Sequence, residues 1–223
     1  MDCDQYIQVV AKHILKEETN SDFFYQLQTK PKLINIVLDC ALTKQAEKLT
    51  KMQTGCRYMF EQGKNDQLKT MYSVFIRVPD TIQHIINCMG PYILDEGKKL
   101  VSNEENLKDP LKFTQALLTF KKQIDDLIVF SFNNDMLFQK ARDASFQEFM
   151  NTCKFTPHYI VIYLDNQMKI GFKQKTPKEI DEVLDQAVRI FCCLHGRDVF
   201  VASYTSLLAV RLLNKTSVND EAE

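Results

Sequence analysis

Residues 132–151 read FNNDMLFQKARDASFQEFMN, and how this run is interpreted decides the fold. Five phenylalanines (Phe130, Phe132, Phe138, Phe146 and Phe149) surround a polar triplet, Asn133-Asn134-Asp135. A polar triplet among aromatic rings is either a catalytic loop or a joint between helices. At 100° per residue, Leu137, Phe138, Ala141, Ala144 and Phe149 fall on one arc, with Gln139, Lys140, Asp143 and Gln147 opposite. The pattern predicts an amphipathic helix over about 135–150. Asn133 or Asn134 would be its N-cap, and Asp135 would complement the positive end of its dipole. The amides then form a hinge, and the rings on either side are packing.

Helical spacing continues in both directions. Upstream, Asp109-Pro110 opens a helix carrying Phe113, Leu117, Phe120, Ile124, Leu127 and Ile128, after a polar loop from Ser102 to Lys108. Asp80 is expected to cap a helix bearing Ile82, Ile85, Ile86, Met89 and Ile93, closed by Gly97. Gly90-Pro91 should kink or split it, since an interior proline costs ~3 kcal/mol. Asn65 is expected to cap a short helix with Leu68, Met71, Tyr72 and Phe75, and a helix over about 52–62 should stop at Gly63. Pro31 starts a broad apolar stripe (Leu33, Ile34, Val37, Leu38, Ala41, Leu42), and a first helix over about 4–18 aligns Tyr6, Val10 and Ile14.

Downstream, Thr156-Pro157 begins a helix with Ile160, Val161, Tyr163, Leu164 and Met168 that ends at Gly171. Thr176-Pro177-Lys178-Glu179 is a capping box with proline at N1, leading a helix with Ile180, Val183, Leu184, Ala187 and Phe191. A last helix, about 198–213, places Phe200, Tyr204, Leu207, Leu208 and Leu212 on one side, and the polar tail NKTSVNDEAE should fray. No stretch of four or more residues alternates cleanly between apolar and polar. The predicted class is all-α.

The bulk chemistry narrows function by exclusion. A formal charge of −1 gives no global basic field to recruit nucleic acid or an anionic membrane. No apolar run approaches the roughly 18 residues of a membrane span, and MDCDQYIQVV lacks the basic start of a signal peptide. Seven scattered cysteines, an odd number, fit a reducing compartment, so the expected location is cytoplasmic, nuclear or both.

Catalytic signatures are missing. There is no G-x-G-x-x-G, P-loop or G-x-S-x-G, and an all-α chain has no strand to present them. Cys192 and His195 would share a helix face at i, i+3, but no second pair completes a zinc site, and the thiols read as small apolar residues in a helix interior. Lys98-Lys99 and Lys121-Lys122 read as solvated faces. Asp125-Asp126 point about 100° apart and cannot share a substrate. No catalytic, cofactor-binding or metal-ligating residue is assigned, binding residues stay unknown, and no enzyme is expected.

At this point the chain resembles the cullin family, the scaffolds of multisubunit ubiquitin ligases. SFNNDMLFQKARDASFQEFMN resembles the cullin "fNND.lF..a.d.aFe.FlN" segment, and TPHYIVIYLDNQMKIG the "sPeyla.yiD..lkkG" helix. GRDVFVASYTSLLAVRLLNKTSVNDEAE is similar to "KDVFe.yYk..LA.RLL..kS.SdD.E". EQGKNDQLKTMYSVFIRVPDTIQHI and LDEGKKLVSNEE are most similar to the cullin-3 type, which binds BTB-domain adaptors.

The resemblance implies that 1–150 form the end of the second and all of the third cullin repeat, a helical stack. Residues 155–223 would begin a four-helix bundle left incomplete. It further implies a non-catalytic scaffold segment with protein partners from the ubiquitin ligase machinery. Neither the repeat that takes the adaptor nor the regions that take the RING subunit and the ubiquitin-like modifier have a counterpart, so no family binding residue is transferred. The alternative is a stand-alone cullin-like protein that regulates or competes with full-length cullins. Where cullins place charged or polar residues in the last helix, this chain has Val201, Ala202 and Val210, and the residues after about Phe155 are expected to self-associate, to fold back on the repeat, or to stay loosely ordered until a partner covers them.

Overall fold

The structure, a computed structural model, describes residues 2–24 and 29–218, with side chains except at 21–24, 29 and 30. No strand occurs among the described residues, and the class is all-α as the spacing predicts. The chain divides into two compact units: residues 1–92 with 125–142, and residues 93–124 with 143–223.

The first unit starts with α1 (Cys3–Phe24), α2 (Thr29–Leu38) running into a π-helical turn at Asp39–Thr43, α3 (Ala46–Lys51), α4 (Cys56–Glu61) and α5 (Asn65–Phe75). The helix expected over 52–62 starts later, as α4 at Cys56, and the unpredicted α3 lies before it. Met52 is extended at the end of α3, and Gly55 precedes α4. Gly63 has φ 62°, the C′ glycine its sequence position suggested. Asn65 does not cap α5. Lys64 holds the N-cap position and Asn65 is the first helical residue. The α5 stripe is as predicted, with Leu68, Met71, Tyr72 and Phe75 all buried.

The long helix α6 (Ile82–Ser102) begins in the first unit and continues in the second. Asp80 lies before it in the left-handed region at φ 67°, its carbonyl accepting the Gln83 N–H. Pro91 lies inside α6, which does not split there, and the expected stop at Gly97 fails because the helix runs on to Ser102. Gly97 is a packing position. A Cβ there would collide with the Phe149 ring, so glycine lets α6 approach that ring directly. The predicted polar loop contains a helical turn, α7 (Glu104–Lys108), because the Asn103 side chain accepts the Glu105 N–H at 2.9 Å.

Asp109 then caps α8 (Pro110–Phe132), accepting the Leu111 N–H at 2.9 Å. In the second unit follow α9 (Met136–Met150, shared with the first unit), α10 (Thr156–Asn166) with a π-helical turn at Gln167–Gly171, α11 (Pro177–Cys192) and α12 (Arg197–Asn214). The capping box is present as predicted, the Thr176 hydroxyl accepting the Glu179 N–H and the Glu179 carboxylate accepting the Thr176 N–H. Here α10 packs against α12 and α11. Met168, Phe172 and Ile180 form a small core against which Val183 and Leu184 lie.

Part of the tail expected to fray is held. Lys215, at φ 52°, lets the Thr216 N–H reach the Arg211 carbonyl at 3.1 Å, and the Val218 N–H donates to the Met168 carbonyl at 3.0 Å. Residues 219–223 of that tail lie outside the described residues.

Candidate functional site

The triplet of the opening stretch is a joint, though its members exchange the roles expected of them. Asn133 and Asn134 have φ 48° and 57°, a left-handed pair that asparagine tolerates better than most residues. The turn they make brings the Asn134 N–H to the Ile128 carbonyl at 3.1 Å. The cap is Asp135, whose Oδ1 accepts the Leu137 N–H at 2.8 Å. Its Oδ2 accepts the Tyr72 hydroxyl at 3.0 Å. Burial, then the Asp135 hydrogen bond and charge, push the Tyr72 hydroxyl up to about 12. Both carboxylate oxygens are thus engaged in structure, and nothing in the joint presents a nucleophile or a base to solvent.

The rings around the joint pack closely. Phe132 stacks on Phe138 at 4.0 Å, and Tyr72 meets both edge-on at 5.6 and 5.7 Å. Phe132, Phe138, Phe146 and Phe149 are fully buried. Phe130 departs from the expectation. It is 46% exposed, with the Lys69 ammonium over its ring. On α9, Leu137 and Ala144 are exposed while Ser145, Phe146 and Met150 are buried, so the buried face is rotated from the predicted arc.

The second candidate is the surface of α12. Of the five residues predicted to face inward, Phe200, Tyr204, Leu207 and Leu208 are half-buried and Leu212 is exposed. Val199, Val201, Val210 and Leu213 are exposed as well, Leu213 by 84%. Apolar surface of this extent on one helix is the expected chemistry of a protein-interaction face.

What α12 buries fully is a charge. Arg211 is 0% exposed, its Nη1 donating to Asp165 Oδ1 at 2.7 Å and its Nη2 to the Tyr204 hydroxyl at 3.4 Å. Lys169 donates to the other Asp165 oxygen at 2.8 Å. Burial pushes the Asp165 carboxyl up, but the hydrogen bonds and charges of Lys169 and Arg211 outweigh it and hold the group below the usual carboxylate range. Sequence reasoning missed this cluster. The signals were Asp165 and Lys169 at i, i+4 and one arginine set among the apolar residues of LLAVRLL.

The residues weighed for chemistry do not converge. Because α11 ends at Cys192, the i, i+3 helix face expected for Cys192 and His195 does not exist. Both are exposed, and the His195 N–H donates to Asn151 Oδ1 at 2.9 Å. No three His, Cys, Asp or Glu side chains among the described residues are grouped to hold a metal ion. Asp125 pairs with Arg142. Lys121 is buried rather than solvated, with its ammonium 5.4 Å from the Phe146 ring centre. No helix is long and apolar enough to cross a membrane among the described residues.

Comparison with known proteins finds relatives along the whole chain. The family described as "Cullin: Cullin alpha solenoid domain" matches residues 1–223. Cullin-3B of Arabidopsis thaliana is 30% identical over 223 residues, covering 100% of this chain and 30% of its own length. Cullin-3 of Dictyostelium discoideum is 28% identical over 222 residues, covering 99% and 29%. Cullin-4A of Homo sapiens is 30% identical over 221 residues, covering 98% and 28%. The chain therefore spans under a third of the length of these relatives.

Proposed function

We propose, from the premise that this chain belongs to the cullin family, that it is a non-catalytic scaffold segment of a cullin-RING ubiquitin ligase. The observation that carries the reading is the joint at Asn133–Asp135. A stretch that carries the family resemblance is occupied by helix capping and ring packing, which is what a spacer requires and a catalyst does not. In this reading 1–150 supply the end of the second and all of the third cullin repeat, and 155–223 begin the four-helix bundle. Its partners are proteins of the ligase machinery, in the cytoplasm or nucleus.

The exposed apolar residues of α12 support a contact made through that helix, with self-association as one form of it. They also favour the second reading, a cullin-like protein that regulates or competes with full-length cullins. A chimera separates the two. When this chain replaces the matching stretch of a full-length cullin-3, the scaffold reading expects assembled ligase and ubiquitin transfer, while the isolated chain fails to bind a purified RING subunit. A folded chimera that assembles nothing, while the isolated chain binds intact cullins, would establish the regulator instead.

A further inference from the structure

The outward face of α12 carries a pattern that packing within the chain does not explain. Arg211 is fully buried against Asp165 and Tyr204, and this fixes which side of the helix turns inward. Drawn at 100° per residue, the arc opposite Arg211 holds Val199, Ala202, Ser206, Ala209, Val210 and Leu213, and all six are exposed. Arg211 is also the only charged residue between Val199 and Asn214. The arc therefore faces water without a charge along about 22 Å of helix. Its hydroxyls are already bonded to their own helix. Thr205 donates to the Val201 carbonyl at 2.8 Å and Ser206 to the Ala202 carbonyl at 3.0 Å, so this face can be dried without stranding a donor.

The arc is complementary to its own image. When two α12 helices run antiparallel about a two-fold axis at Ser206, residues equally far before and after Ser206 meet. Val199 then meets Leu213 of the second copy, and the small Ala202 meets the larger Val210. Ser206 meets itself, and with Ala209 it lets the two backbones approach. The charges at the two ends agree with this direction. Asp198 lies in the first turn of α12 and Lys215 just past the last, both exposed. Antiparallel pairing sets each Asp198 beside the other copy's Lys215 and opposes the two helix dipoles, whereas parallel pairing would set like beside like. Arg197 does not intrude, because it donates to the Leu194 and Cys192 carbonyls. With a formal charge of −1, two copies feel no strong long-range repulsion.

We propose that a second copy of this chain covers α12, in a two-fold symmetric dimer whose outer arcs pair antiparallel about Ser206. The proposal rests on the reading of α12 as the chain's contact face and deepens it by naming the occupant. The uncharged arc supplies the contact, and the Asp198–Lys215 pairs at its two ends set the direction and the register. Arg211 has a part in this as well, since its ion pair with Asp165 holds α12 with the arc outward. A single pair of helices buries less than the roughly 1,200 Å² of a stable complex, so the dimer is reversible and forms as concentration rises.

The test begins with the unaltered chain, whose mass by sedimentation equilibrium should rise with concentration toward that of two chains. Ser206→Cys should then cross-link to its own image under mild oxidation, read by mass spectrometry as a peptide joined 206 to 206. Val201→Cys, exposed but off the arc, should not. Asp198→Lys turns two attractions into two repulsions and should loosen the dimer about tenfold. Adding Lys215→Asp should restore it, since aspartate tolerates the φ of 52° at that position. A mass that stays monomeric at every concentration overturns the proposal. So does equal cross-linking at 201 and 206, or a charge swap that restores nothing. If a chain that stays monomeric instead binds a purified full-length cullin and its α12 amides slow in hydrogen exchange, the second copy is ruled out while α12 remains a contact face.

Discussion

The joint at Asn133–Asp135 and the last helix, α12, are both helical and both rich in large apolar side chains, yet they spend those side chains differently. At the joint, Phe132 and Phe138 are fully buried and each meets Tyr72 edge-on, so the rings hold the turn. On α12 the fully buried side chain is Arg211, while Leu212 and Leu213 face water. Apolar content alone therefore does not make a core. What decides is whether neighbouring elements reach the side chain from more than one direction. The scaffold role proposed for the chain would use both kinds of region, one that fixes the angle between helices and one that is left to be covered.

Truncating a ring is the harshest way to probe the contrast. Phe138→Ala should destabilise the chain by about 3–5 kcal/mol, measured by urea unfolding, because a fully buried ring leaves a cavity. A loss below about 1 kcal/mol would mean that the joint is no better packed than α12.

Next in size is the ion pair that anchors α12. Asp165→Asn removes the carboxylate charge that the buried Arg211 shares with Lys169 and should cost about 3 kcal/mol, at the lower edge of the range for buried pairs because Asp165 keeps some exposure. The same pair sets an acid limb. The folded Asp165 carboxyl titrates below its unfolded value of about 4, so its contribution is complete above that value and is lost as pH falls through the folded one. The Asn variant should therefore show a flatter stability profile in acid, and an unchanged slope would remove Asp165 from the account.

Smaller effects belong to the left-handed pair. Asn134→Ala should cost about 1 kcal/mol more than Asn134→Gly, since alanine resists a φ of 57° and glycine does not. Equal costs would indicate that the amide side chain matters more than the backbone. The smallest change is expected on the open surface. Leu213→Ser should alter monomer stability by no more than about 0.5 kcal/mol, yet weaken any association seen by light scattering.

Much of this was legible in the sequence, for identifiable reasons. Helical period and the Thr176–Glu179 box are local signals, and they located most of the helices, though not α3, α7 or the start of α4. What depends on a distant side chain could not be seen. Gly97 resembles a helix stop until Phe149 is placed against it, and Asp135 resembles a dipole partner until its cap bond and its bond to Tyr72 are known.

Hydrogen exchange on the monomeric chain tests the central comparison most directly. The account predicts that amides from Asp198 to Leu213 exchange faster than those from Pro110 to Phe130, and that a partner or second copy bound at α12 slows them. Equal protection of the two segments in a protein shown by light scattering to be monomeric would contradict it, because α12 would then be as well held as the buried helix and would have no face left to offer.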